Sequence, residues 1–433
     1  MIKKLTARFK DSELAKKSLI VMVLKFAGTG LLFLLTIYLT NHFPPELVGQ
    51  YDFSRSVLLI LSGIGMLGAE QSIIYYAGFL RSKDAFQSFK SIYWKILRII
   101  FISSLFIFLI FFSLNANWVN GLFDGKNVYP LFFQVSACLL FHSIMMLNIE
   151  TFRSLNKTIL SEVYRNILRY AFFFVGAAIL FYGNWLELLV PVYLGCFVLL
   201  SIVSSIQVLM LFSKMKAESE TLKFTYKEIL KTSYPMALST LTFFLMQSTD
   251  VILLGKFDVF ENVAFYSTAI KISMLTSIAL MSVNVITAPK ISEEYSRGNH
   301  AALAEILKKS SRLIFMLSVP FLLFLILFSK FLLSLFGEEY QAAQIPLLVL
   351  LIGQFFNSLT GPTGTYMNMT GKQKILHRFL MGAFLVNFIL NYTLIPLYGM
   401  TGSAIATSIS VAGWNILAAL FVYKKDSVKT FLS

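Results

Sequence analysis

The sequence predicts an all-α integral membrane protein whose twelve transmembrane helices form two pseudo-symmetric six-helix bundles. Three observations carry that prediction. The 433 residues are 57% hydrophobic and only 14% charged, with a mean hydropathy of +0.73, far from the balance of a water-soluble domain. Apolar residues fall in runs long enough to cross a hydrocarbon core about 30 Å thick, which takes about 20 residues. Basic residues gather at alternate ends of those runs, as positive-inside topology requires.

In chain order the predicted spans cover residues 18–40, 51–77, 93–114, 128–149, 163–182, 188–213, 231–254, 263–287, 312–333, 343–368, 379–395 and 400–423. Of the 37 Lys and Arg residues, 31 lie on one side, and only Lys126, Lys256 and Lys330 lie on the other. Both termini are therefore expected in the cytoplasm, and the net charge of +15 reflects topology, with no nucleic-acid partner implied. Residues 1–17 are basic and amphipathic, suited either to lie along the inner membrane face or simply to anchor topology. Lys25 interrupts the apolar run that follows and no small-x-small cleavage site appears, so this run is read as the first helix and not a signal peptide. Cys138 and Cys196 both fall within spans and are read as packing residues.

Three cations remain inside the membrane: Lys25, Arg55 and Lys271. A charge at a helix centre costs about 2.5 to 3.5 kcal/mol on insertion scales, so such residues face a cavity or a partner. Lys25 lies roughly 10 Å deep at 1.5 Å per residue, within reach of snorkelling or of a cavity. Arg55 is about one turn inside the outer end of the second helix, and its guanidinium is suited to hold a phosphate bidentately. Glu70, near the inner end of that helix, matches Lys25 in depth, and neutralisation of the pair is its simplest role. In the seventh helix Ser239, Thr240, Gln247 and Asp250 share a sector of roughly 100°. Asp250 is read as an ion-pair partner of Lys271 or Arg55, or as a coupling-ion site. Tyr93, Trp94, Trp118 and Tyr129 are read as interfacial, His142 as a packing histidine, and Arg165 with Arg169 as inner-surface residues that contact lipid phosphate or mark topology.

An internal repeat divides the chain. At an offset near 215 residues, Glu46, Val48, Gly49 and Tyr51 fall on Glu261, Val263, Ala264 and Tyr266, and Lys157 falls on Lys372. Tyr182 and Gly183 fall on Tyr398 and Gly399 at an offset one greater, the same offset that separates Arg55 from Lys271. An even number of helices per half gives halves of like orientation. The expected domains are an N-terminal bundle over 1–213, a cytoplasmic linker over 214–230 and a C-terminal bundle over 231–433. Gly361, Pro362, Gly364 and Gly382 are expected to permit bends in the tenth and eleventh helices.

The second half carries a resemblance. STDVILLGKF, APKISEEYSRGN, LFGEEYQAA, GPTGTYMNMTGKQK and NFILNYTLIPLYGMTGSAIATSIS, with YDFSRSV and LGAEQS in the first half, make the chain similar to the Wzx-type O-antigen and polysaccharide flippases. Their superfamily also contains the lipid II flippase and the multidrug and toxin extrusion proteins. The resemblance implies two bundles rocking around a central cavity to carry a polyprenyl-diphosphate-linked oligosaccharide to the outer leaflet of a bacterial inner membrane. It implies that cavity cations engage the diphosphate, at Lys25, Arg55 and Lys271 here, and it brings in a glycan polymerase and a chain-length regulator as possible partners. The lipid II flippase pattern has two further helices that this chain lacks.

Aromatics such as Tyr38, Tyr75, Tyr266 and Tyr366, and amides such as Asn357, Asn368, Asn387 and Asn391, are candidates for sugar contacts, with packing and helix–helix hydrogen bonds as their default roles. No GxxxxGK[ST] loop is present, so ATP hydrolysis is not expected, and neither a cofactor nor a metal is implied. The chain is thus expected to be a transporter and not an enzyme. A membrane glycan polymerase fits less well, because the longest outer loop, around Asn115 to Val128, is too short to form a domain. A cation-coupled multidrug exporter is the closer rival, although an interior that leans basic suits an anionic cargo better.

Overall fold

The computed structural model describes residues 13–83, 85–215 and 222–431, with side chains from Leu19 onward. Most of the basic N-terminal segment and residues 216–221 of the expected linker lie outside the described residues. Among the described residues every regular element is helical. In hydrocarbon there is no water for an open backbone, and a helix satisfies each N–H and C=O within its own segment. Among the described residues ten helices are long and apolar enough to cross a membrane, or eleven if one bent pair counts as a span.

That bent pair corrects the expectation of a single helix over 51–77. It consists of α2 (Pro45–Gly65) and α3 (Ala69–Ser82), which follow α1 (Glu13–His42) and meet at 44°. Leu67 and Gly68 take positive φ between them, and a Cβ on Gly68 would lie 2.4 Å from the Ser233 carbonyl oxygen. Glycine is required there both by its left-handed backbone and by the close approach. The chain continues through α4 (Phe89–Ser113), the short α5 (Ala116–Leu122) and α6 (Tyr129–Ser154). The expected helix over 163–182 is in fact α7 (Thr158–Val163) and α8 (Arg169–Gly183), joined by one π turn at Tyr164–Leu168. α9 (Leu189–Ser213) ends at the linker.

α10 (Tyr226–Phe257) begins on a reciprocal cap. Glu228 accepts from the Thr225 backbone N–H at 2.7 Å, and the Glu228 N–H donates to Thr225 Oγ1 at 3.2 Å, which satisfies donors that an uncapped helix start leaves open. α11 (Phe260–Met274), α12 (Ser277–Ser296), α13 (His300–Leu327) and α14 (Ser329–Ser334) follow. α15 (Gln344–Thr360) and α16 (Thr363–Met369) are separated at Gly361, where φ is 64°.

The last helix, α17 (Gln373–Asp426), is 54 residues long but folds back at Gly399, whose φ of 53° and ψ of −136° are not helical. Ser403 Oγ donates to Asn391 Oδ1 at 2.8 Å and Asn387 Nδ2 donates to Thr407 Oγ1 at 3.3 Å. In a straight helix such pairs would be roughly 18 and 30 Å apart. The segment is therefore two antiparallel arms, and the reversal at Gly399 falls in the gap between the predicted spans 379–395 and 400–423, whereas Gly382, where a bend was expected, keeps helical geometry. After Asp426 the tail returns to the helices. Thr430 is fully buried, its Oγ1 is 2.7 Å from Thr363 Oγ1, and its carbonyl accepts from Ser311.

The chain divides into two compact units. One contains the residues up to Leu47 and Val57–Phe244; the other contains Val48–Ser56 and Leu245–Ser433. Within the second unit, the first turns of α2 approach α11 so closely that a Cβ on Gly49 would lie 1.8 Å from the Phe260 carbonyl oxygen, and Phe53 packs edge-on against Phe260 at 5.5 Å. Gly49→Ala is expected to lower the midpoint of thermal unfolding in detergent by the equivalent of at least about 1 to 3 kcal/mol, the usual cost of overpacking. Gly121→Ala, with no atom near the added methyl, serves as the neutral control.

Candidate functional site

The first few turns of α2 set the principal site. Gly49, Asp52, Phe53 and Ser56 recur at helical spacing and form one stripe of the helix. Gly49 admits the neighbouring backbone, Phe53 fills the space beside it, and Asp52 is thereby held facing α11. Lys271 Nζ donates to Asp52 Oδ1 at 2.9 Å and to Oδ2 at 3.0 Å. Arg55, one turn along α2, reaches the same carboxylate, its Nη1 lying 3.5 Å from Oδ1. Asp52 and Lys271 are buried at 1% and 9% side-chain exposure, whereas Arg55 keeps 33%.

Two of the three sequence-predicted cations thus meet on one carboxylate, and the pairing of Lys271 with Asp250 does not occur. Both cations thus engage Asp52, Lys271 as the buried partner and Arg55 as the more exposed one. Lys25 is elsewhere, exposed on α1, and makes no ion pair among the described residues. Asp52 was not among the sequence-predicted site residues. Its signal was the Asp-x-x-Arg spacing in YDFSRSV, which puts acid and base on neighbouring turns.

Asp250 forms a second centre in the same unit. Tyr266 donates its hydroxyl to Asp250 Oδ2 at 2.9 Å, Thr407 Oγ1 donates to the same oxygen at 3.3 Å, and the Val251 N–H is 2.9 Å from Oδ1. From Thr407 the network continues through Asn387 to Asn391 and Ser403, joining both arms of α17. Asp250 is 3% exposed and its partners here are hydroxyl and backbone donors. Tyr266, Asn387 and Asn391 are committed to this buried network and not to a sugar surface, and Tyr366 likewise donates to Asp426 at 2.9 Å.

The first unit has its own buried charges. Arg165 binds Glu150, Arg153 lies 3.5 Å from Glu150 and 3.2 Å from Glu162, and Asn166 Nδ2 donates to Glu162 at 2.8 Å. The π turn supplies Arg165 and Asn166, and α1 packs on it so closely that a Cβ on Gly28 would lie 2.5 Å from the Asn166 carbonyl oxygen. Glu70, in the first turn of α3, lies within electrostatic range of Arg165 and Glu150. The charge near Glu70 among the described residues is thus that of Arg165, which pairs with Glu150, and the expected pairing with Lys25 is not formed. Tyr93 is not interfacial; it is buried and donates to Asn148 at 2.7 Å. His142 is buried with its ring edge-on to Phe197 at 4.9 Å, a packing histidine whose Nδ1 finds no hydrogen-bond partner among the described residues.

Comparison with known proteins adds the family. A family model described as MatE matches residues 235–393, and one described as polysaccharide biosynthesis protein matches residues 14–295. A probable low-salt glycan biosynthesis flippase of Haloferax volcanii is 24% identical over 181 residues, 42% of this chain and 38% of that protein. A protein of Shigella flexneri named as an O-antigen transporter is 30% identical over 158 residues, 35% of this chain and 36% of its own. The alignments thus span little more than a third of these relatives. In three dimensions the chain is similar to a lipid II flippase in an inward closed conformation, with a TM-score of 0.75 at 16% identity over 94% of this chain and 88% of that one. It is also similar to an inward-facing multidrug transporter, with a TM-score of 0.68 at 15% identity over 94% and 98%. These likenesses establish the fold, and the match over 14–295 establishes the lineage: the chain belongs to the polysaccharide biosynthesis protein family.

Proposed function

We propose that the protein is a flippase that moves a polyprenyl-diphosphate-linked glycan repeat unit from the cytoplasmic to the outer leaflet of the inner membrane by alternating access, with both termini cytoplasmic. The observation that carries the reading is the shared carboxylate of Asp52, with Lys271 and Arg55 upon it. A cationic pair inside a membrane span needs a resident counter-ion when no cargo is present, and Asp52 supplies one. A diphosphate brings two adjacent anionic groups and competes with Asp52 for both cations, Arg55 offering a planar fork and Lys271 a point charge. Release lets Asp52 recover its partners, so the cations are not left without an anion when the cargo departs. Lys25, the third cation, belongs to the path by which the head group enters. A glycan polymerase and a chain-length regulator are the partners consistent with such a cargo.

Outward movement of an anion is assisted by an inside-negative potential, about 2.3 kcal/mol per charge per 100 mV. Asp250, buried among hydroxyl donors, is the position proposed for a coupling proton or sodium ion, with Glu70 a second candidate. Its carboxylate is held in place by Tyr266 and Thr407 and is free of the role of neutralising Lys271, which Asp52 fills.

Both readings are testable in proteoliposomes loaded with a fluorescent polyprenyl-diphosphate oligosaccharide. Arg55→Gln and Lys271→Gln are each expected to slow flipping by about tenfold or more, as loss of a charge-assisted contact implies. Asp52→Asn is expected to destabilise the fold by about 3 to 5 kcal/mol, more than Lys271→Gln, because it leaves the buried Lys271 without its carboxylate whereas Lys271→Gln leaves Asp52 its contact with Arg55. Flipping unaltered in Arg55→Gln and Lys271→Gln would refute the cationic site. When the proton and sodium gradients are collapsed separately, Asp250→Asn is expected to abolish the response of the flipping rate to one of them. An equal response in the variant and the parent would exclude coupling at this residue.

A further inference from the structure

We propose that the groove between the two arms of α17 binds an anionic phospholipid from the leaflet at its Arg378 end. The groove has a volume of about 280 Å³, and Arg378, Gly382, Gly413, Val386, Trp414 and Leu417 are among the residues that line it. It lies within one unit of the chain, and none of Asp52, Lys271, Arg55 or the residues of the Asp250 network lines it.

The glycines provide the first argument. A glycine inside a helix is less favourable than alanine by about 1 kcal/mol, a cost usually explained by a close approach or by positive φ. Neither applies here. A Cβ on Gly382 or on Gly413 would meet no atom within 4 Å, and neither glycine takes positive φ. What the two missing side chains create is open depth in the surface, in a setting where the surrounding medium is lipid. Ser410, the groove's hydroxyl, already donates to the Ala406 carbonyl at 2.7 Å, so the floor offers an apolar surface.

Length and charge select the occupant. Val386 is eight residues beyond Arg378, about 12 Å along the helix, close to half the thickness of a hydrocarbon core of about 30 Å. The groove is therefore as deep as one leaflet, with its cation at the head-group level. Arg378 is exposed and makes no ion pair among the described residues, and a guanidinium so placed is suited to a phosphodiester. A groove between α8 and α9 provides the contrast. It is larger, about 620 Å³, and glycines 176 and 195 again lie in its lining, but no charged residue lines it. It can accommodate an acyl chain but has nothing to hold a head group.

The test uses the full-length protein exchanged into equimolar phosphatidylglycerol and phosphatidylcholine, with retained lipid counted by native mass spectrometry. Preferential retention of phosphatidylglycerol is expected. Arg378→Gln should reduce that retention about tenfold, as loss of a charge-assisted phosphate contact implies, and leave phosphatidylcholine unchanged. Gly382→Leu combined with Gly413→Leu should remove the Arg378-dependent share of phosphatidylglycerol retention without lowering the unfolding temperature, because a Cβ at either position meets no atom within 4 Å. Equal retention of phosphatidylglycerol by the parent and by Arg378→Gln would overturn the proposal. So would undiminished retention in the double glycine variant, or displacement of phosphatidylglycerol by an equimolar polyprenyl phosphate, which would assign the groove to a prenyl chain.

Discussion

A charge placed in hydrocarbon must be answered by another group, and the internal organisation of this protein follows from how each of its charges is answered. Lys271 is answered by Asp52, on a helix more than two hundred residues earlier in sequence, and the same carboxylate serves Arg55. Asp250 is answered by the hydroxyls of Tyr266 and Thr407. Glu150 and Glu162 are answered by guanidinium groups from α6 and the π turn. These solutions differ in what they allow. An ion pair can be opened by a competing ion, a carboxylate among hydroxyls can exchange a small cation, and a closed set of bridges chiefly fixes the elements that contribute to it.

The second constraint is on the backbone. Helices have to carry the chain across the membrane, so departures from helical geometry concentrate where another group compensates for them. Gly68 and Gly361 separate paired helices, and Gly399 turns the last helix back on itself. At Gly399 the compensation is visible as a ladder of side-chain hydrogen bonds from Asn391 to Ser403 and from Asn387 to Thr407. The π turn at Tyr164–Leu168 works differently: it alters the direction of successive side chains so that Arg165 and Asn166 both reach carboxylates.

The membrane class and the positions of the helices were legible because hydropathy and positive-inside bias act on stretches of about 20 residues, and such sums are robust to individual residues. The intramembrane charges were legible for the same reason, since each interrupts an apolar run. Their pairing was not. Lys271 and Asp250 are neighbours in sequence on consecutive helices, yet the carboxylate that binds Lys271 comes from α2, because the glycine at position 49 lets that helix approach Phe260. Periodicity describes a helix's own faces and is silent about which other helix will cover them. The reversal at Gly399 was legible as the gap between the predicted spans 379–395 and 400–423, but the bend expected at Gly382 does not form, and the hydrogen-bond partners that stabilise the actual reversal lie 12 and 20 residues apart in sequence.

The division of α2 between the two units has a consequence for dissecting the molecule. The 214–230 connection looks like the natural place to separate the halves, but Val48–Ser56 belongs with the later residues. A fragment starting at the linker would contain Lys271 without Asp52, and a backbone groove at Phe260 with no Gly49 to occupy it. The self-contained C-terminal module is therefore discontinuous in sequence, and its covalent order is a poor guide to which pieces can be expressed apart. Circular permutation or split reporters designed around this fold would have to carry the beginning of the second helix along with the second half.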